Sequence, residues 1–152
     1  MTSTNQNGRL GNQIIRNLAV SFIAKKHDLK VIYYNEKLIK ELGIDLYSGS
    51  IVHNRNVRLL DDNYFKFLNA KQLQHNFDPN HNFFQKCTII NLIYEYLHTD
   101  EVKMNIMECN PYKERYNNNN DLYIHVRLGD IAKINLNLGI EYYKKAIEMN
   151  HF

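Results

Sequence analysis

The sequence predicts an α/β protein built on a mostly parallel sheet, and three observations carry the expectation. Helical apolar stripes alternate with short β-branched runs. A glycine loop, "NGRLGNQII" at residues 7 to 15, opens the first helical stripe. Near the C-terminal end a second strand-like run leads into a charged turn, "IHVRLGDI" at residues 124 to 131. The 152 residues make about one domain, and a chain that is 44% hydrophobic and 23% charged can bury a core.

Taken in order, residues 1 to 7 are polar, so no strand is expected before the glycine loop. Residues 14 to 26 read as a helix, with Ile14, Leu18 and Phe22 on one stripe and Ile15, Ala19 and Ile23 beside it. Residues 29 to 34, "LKVIYY", read as a buried strand because the run is short, apolar and β-branched. Residues 36 to 42 suggest a short helix stopped by Gly43, and 51 to 60 alternate loosely like another strand. Residues 83 to 97 form an amphipathic pattern, and 99 to 108 begin a further helix with Thr99 as its N-cap. Pro111 and the asparagine run mark residues 111 to 120 as a linker. It divides an N-terminal α/β lobe, 1 to 110, from a second segment, 121 to 152, with a strand at 122 to 126 and a helix at 139 to 149.

The formal charge is +3, from 19 basic and 16 acidic residues that are scattered along the chain. This argues against nucleic acid as a partner, which calls for a basic patch or stripe. The first residues lack a charged and then apolar leader, and no run reaches the ~18 apolar residues of a membrane span. A soluble, cytoplasmic protein is expected. Cys87 and Cys109 form neither a CxxC nor a disulfide framework, and Cys87 reads as a buried, inert thiol. His75, His81 and His98 lack ligand spacing and read as surface or satisfied core residues.

Two loops carry the chemistry. Gly8 and Gly11 sit immediately before an amphipathic helix. A glycine loop there leaves backbone N–H groups unpaired at the positive end of the helix dipole, which suits an anion. Arg9 adds a cation, while Asn12 and Gln13 add neutral donors and acceptors. The loop is neither a Walker A nor a GxGxxG sequence. A plain tight turn with Asn12 as N-cap is the competing reading. In the second loop, Arg127 would stand at the carboxyl end of a strand, where open α/β sheets bind ligands. Its guanidinium can grip a phosphate bidentately. Gly129 lets the chain turn close to a ligand, and Asp130 can hold Arg127 or accept from a sugar hydroxyl. The competing reading is a local Arg127–Asp130 ion pair.

"GRLGNQ", Gly8 to Gln13, followed by "HVRLGD", His125 to Asp130, resembles the α-1,2-fucosyltransferase family, glycosyltransferase family 11. "NFFQK" at 82 to 86 and the helix opened by Tyr142-Tyr143 resemble further family segments. Leu128 stands where many relatives carry a second arginine. The resemblance implies a GT-B-like architecture of two Rossmann-type lobes, of which this chain would hold the first and the start of an incomplete second. It implies transfer of fucose from GDP-fucose to a glycan hydroxyl, with inversion and with neither metal nor cofactor. Arg127 then binds the donor diphosphate, and Arg127 and Asn12 are the expected catalytic residues. Arg9, Gly11, Asn12, His125, Arg127, Gly129 and Asp130 form the expected donor-binding set. The expected partners are a GDP-sugar, a glycan acceptor and a second chain supplying the missing lobe. A different function class remains beside this one: a truncated, non-catalytic relative that binds a nucleotide sugar, a glycan or another protein.

Overall fold

The structure is a computed structural model and describes residues 1–115, 124 and 139–149. It is a mixed α/β protein in which every pair of laddered strands is parallel among the described residues. The order is β1 (Thr2–Ser3), α1 (Leu10–His27), β2 (Val31–Ile32), α2 (Glu36–Glu41), β3 (Asn56–Arg58), α3 (Tyr64–Leu68), β4 (Asn76–Asp78), α4 (Cys87–Leu97) and α5 (Asp100–Cys109). A 3₁₀ turn at Lys113–Arg115 and a last helix, α6 (Ile140–Met149), follow. The chain separates into two compact units, Met1–Tyr116 and Asn117–Phe152.

A strand does precede the glycine loop, against the expectation drawn from its polar residues. Thr2 pairs with Val31 and Ser3 with Ile32. The strand escapes sequence patterning because Thr2, fully buried, uses its hydroxyl where an apolar side chain would be expected. Thr2 Oγ1 accepts the backbone N–H of Phe77 at 2.8 Å. Asn80 Nδ2 reaches Ser3 O at 3.4 Å. The β1–β2 and β3–β4 pairs are two separate two-stranded ladders, and these side-chain bonds join them through β1 and the β4 end. Both bonds advance in the same sense along the chain, so β1 and β4 end on the same side.

The run 29 to 34 is a strand buried on one face only. Leu29, Val31 and Tyr33 point into the core, whereas Ile32 is half exposed. The expected strand at 51 to 60 is shorter too: Ile51 bridges Leu29, and only Asn56–Arg58 pair with Asn76–Asp78. Helix α1 is buried nearly all round. Leu18, Ala19, Val20, Ile23 and Ala24 are within 2% of complete burial, and each large apolar side chain so placed contributes about 2 kcal/mol. Tyr64 and Phe84 close the core, with Tyr64 Oη donating to Ala19 O at 2.9 Å.

Helix α4 begins at Cys87, four residues later than the apolar pattern suggests. Phe84 adopts φ +55°, and the Asn82 carboxamide accepts the N–H of Phe83 at 2.8 Å, so the local bonds of a turn replace helical ones. Cys87 is exposed rather than buried, because α4 buries Ile89 and Ile93 and its first residue lies off that face. Thr99 holds the N-cap position of α5, yet its hydroxyl donates back to Tyr96 O at 2.9 Å. No described helix is long and apolar enough to cross a membrane.

Candidate functional site

Three loops leave the carboxyl ends of β1, β2 and β4, and one face of α1 ties them together. Gln13, Arg16 and Asn17 are spaced three and four apart, so they share that face. Gln13 Nε2 donates to Gly8 O at 2.7 Å and to Gln6 O at 3.2 Å, while its Oε1 accepts from Asn35 Nδ2 at 2.7 Å. Asn17 Nδ2 donates to Tyr34 O at 2.9 Å. Arg16 Nε donates to Asn82 O at 3.0 Å, and its Nη1 reaches Asn5 Oδ1 at 3.0 Å and Asn7 O at 3.1 Å. The guanidinium lies 5.0 Å from the centre of the Phe83 ring. Polar residues on one face of a largely buried helix thus form a brace for the open end of the strands.

Arg16 is 1% exposed and is held by neutral acceptors alone among the described residues. Its Nη2 has no hydrogen-bond partner among them. Burial lowers its pKa from the ordinary guanidinium value, although an arginine stays charged in a protein. Neither Arg16 nor Asn17 belonged to the expected site. The signal was present in the sequence as polar residues interrupting the apolar pattern of α1.

The glycine loop sits on this brace. Gly8 has φ +83°, and a Cβ there would meet Phe83 Cε1 at 2.7 Å and Asn12 Cβ at 2.8 Å. Both the left-handed conformation and the close approach require glycine. Gly11 is different: it is the second residue of α1 without a positive φ, and a Cβ there would meet nothing described within 4 Å. Its missing side chain leaves the helix start uncovered.

Arg9, exposed, is the N-cap of α1 in extended conformation, and no side chain hydrogen-bonds as a cap. Asn12 is therefore not the N-cap but lies within the first turn, where its Oδ1 accepts from Gln85 Nε2 at 2.9 Å. The first turn contains no acidic residue. Uncapped N–H groups, the helix dipole and an exposed arginine together favour an anion at this point. Arg9, Gly11 and Asn12 are brought together at the helix start, whereas Gln13 is spent on holding the loop. His125, Arg127, Gly129 and Asp130 lie outside the described residues, as does most of the expected strand at 122 to 126.

The segment "NFFQK" packs onto the glycine loop, through Asn82 to Arg16, Phe83 to Gly8 and Gln85 to Asn12. These pieces are some seventy residues apart in the chain. Among the described residues, no group of three or more His, Cys, Asp or Glu side chains is arranged to hold a metal ion. Comparison with protein-family models, with curated proteins and with solved structures finds no match to this chain.

Proposed function

We propose that the chain is a fucosyltransferase-like glycosyltransferase of GT-B type that uses GDP-fucose as donor and a glycan hydroxyl as acceptor. The observation that carries the reading is the uncapped, glycine-opened start of α1 at the carboxyl end of β1, with "GRLGNQ" braced by "NFFQK". Ligands of open α/β sheets bind on that side. In this reading the N–H groups of the first turn and Arg9 face the donor, and Arg127 grips its diphosphate.

Transfer with inversion loosens the bond between the anomeric carbon and the leaving diphosphate. Negative charge accumulates on the departing GDP, and a positioned guanidinium counters it without reorganising at the moment of reaction. Asn12, steadied by Gln85, presents its amide nitrogen beside the reacting sugar. The acceptor oxygen bonds to the anomeric carbon from the opposite face as the bond to GDP breaks, and its proton passes to solvent water.

The test is a thermal titration of the purified chain with GDP and with GDP-fucose, because a ligand that binds only the folded state raises Tm. Both should raise it in the wild type, with the shift abolished in Arg127→Ala. In a transfer assay Arg127→Ala should lose about 10²–10³ in rate, the cost of deleting one preorganised donor of this kind. A folded sample indifferent to millimolar GDP, or an Arg127→Ala variant of ordinary rate, overturns the proposal.

A further inference from the structure

A second polar concavity lies at the other end of the sheet. It encloses about 610 Å³ and is lined by His53, Asn54, Arg55, Gln74 and His75, with Val52 and Val57 as its apolar wall. Apart from Val57, which lies within β3, these residues precede β3 and β4, so the concavity stands at the amino ends of those strands. The glycine loop stands at the carboxyl ends. The lining contains no carboxylate. Arg55 forms no ion pair among the described residues.

The wall is held in place by a buried side chain. Asn76 is 1% exposed, and its Nδ2 donates to His53 O at 2.6 Å, to Asn56 Oδ1 at 3.0 Å and to Arg55 O at 3.4 Å. Its Oδ1 accepts the N–H of His53 at 3.0 Å, and its own backbone N–H donates to Arg55 O at 2.7 Å. One asparagine thus fixes residues 53 to 56. On the opposite wall the His75 ring packs edge-on against Phe67 and Phe77, 5.1 Å from each. Its Nε2 is buried and has no hydrogen-bond partner among the described residues.

We infer that this concavity is an anion site for a phosphomonoester, with Arg55 as the charged anchor, His53, Asn54 and Gln74 as hydrogen-bonding groups around it and His75 in its wall. The guanidinium fork matches the geometry of a phosphoryl group. The donor-rich, carboxylate-free lining rejects cations, and the volume leaves room for a sugar ring attached to the phosphate. The site is independent of the donor site at the start of α1.

The experiment is an NMR titration of ¹⁵N-labelled protein with inorganic phosphate and, separately, with a hexose 6-phosphate. Saturable shifts are expected at the amides of residues 53–57 and 74–75, with both probes or with the sugar phosphate the tighter. Arg55→Gln should weaken binding about tenfold, the loss of one charge-assisted contact. The exposed side chain of Arg55 takes no part in holding the strap, so this variant should fold with unchanged dispersion. Free phosphate binding as tightly as the sugar phosphate identifies the ion itself as the ligand; a clear preference for the ester identifies the sugar phosphate. Absence of saturation at about 50 mM, far weaker than any phosphate site of use to a cell, overturns the inference. So does saturable binding that Arg55→Gln leaves intact, or shifts confined to residues 7–13.

Discussion

The two ends of the sheet solve the same problem with different means. At the carboxyl ends, three loops are held by three side chains on one helix, Gln13, Arg16 and Asn17. At the amino ends, one strap is held by a single strand residue, Asn76. The helix can serve several loops because side chains three and four apart stack on one face and reach different neighbours. The strand residue serves only what lies directly beside it. The first arrangement distributes rigidity over segments distant in sequence, and the second concentrates it in a few residues.

This contrast can be broken by mutation. The largest effect is expected for Arg16→Ala, which strands the carbonyls of Asn7 and Asn82 and the Asn5 carboxamide at about 3 kcal/mol. Urea melts measure the loss, and hydrogen exchange should quicken in both residues 4–9 and 82–85. Asn76→Ala should cost about 2 kcal/mol and quicken exchange only around residues 53–56. Were the two exchange patterns to coincide, the division into distributed and local bracing would be wrong.

The two glycines of the first loop sharpen the comparison within one end. Gly8→Ala combines a left-handed backbone with contacts to Phe83 and Asn12 that a Cβ would violate, and should cost about 2 kcal/mol. Gly11→Ala should change stability by about 0.5 kcal/mol at most, on the stabilising side, because alanine suits a helix. GDP binding should nevertheless weaken in Gly11→Ala, since a methyl group would then stand at the open helix start. Equal stability losses at the two positions would show that the glycines play the same part.

The smallest expected effect is one of pH and belongs to the amino end. Burial first, and the charge of His53 second, hold the pKa of His75 below its ordinary value of 6.5. The unfolded chain therefore takes up a proton at His75 more readily than the folded one. Stability contributed by the neutral ring is complete above pH 6.5 and declines as pH falls from there toward the lowered folded value. His75→Gln should flatten this part of the stability–pH curve, and an unchanged slope in that variant would assign the acid loss elsewhere.

Much of the architecture was legible in the residues. The periodic stretches at 14 to 26, 36 to 42, 99 to 108 and 139 to 149 are helices within a few residues of their expected bounds. Their periodicity is a local property, so it survives without knowledge of the fold. The short elements were not legible. β1 is two residues long and polar, β4 is "NFD", and α3 is a single turn and a half. Such pieces hold together only through neighbours, and no local pattern announces them. His75 departs from the expectation of a surface or satisfied residue for the same reason, since Phe67 and Phe77 reach it from elsewhere in the chain.

The sequence by itself determined the helical periods, the mixed α/β class and the chemistry available in the loop "GRLGNQ", because these depend on residue type and spacing alone. Only the tertiary structure decided that Gln13 braces the loop while Asn12 meets Gln85, that Gly8 and Gly11 are needed for different reasons, and that Asn76 builds a wall at the far end of the sheet. Those outcomes depend on which segments, dozens of residues apart, are brought within hydrogen-bonding distance, and that is settled when the core closes around α1.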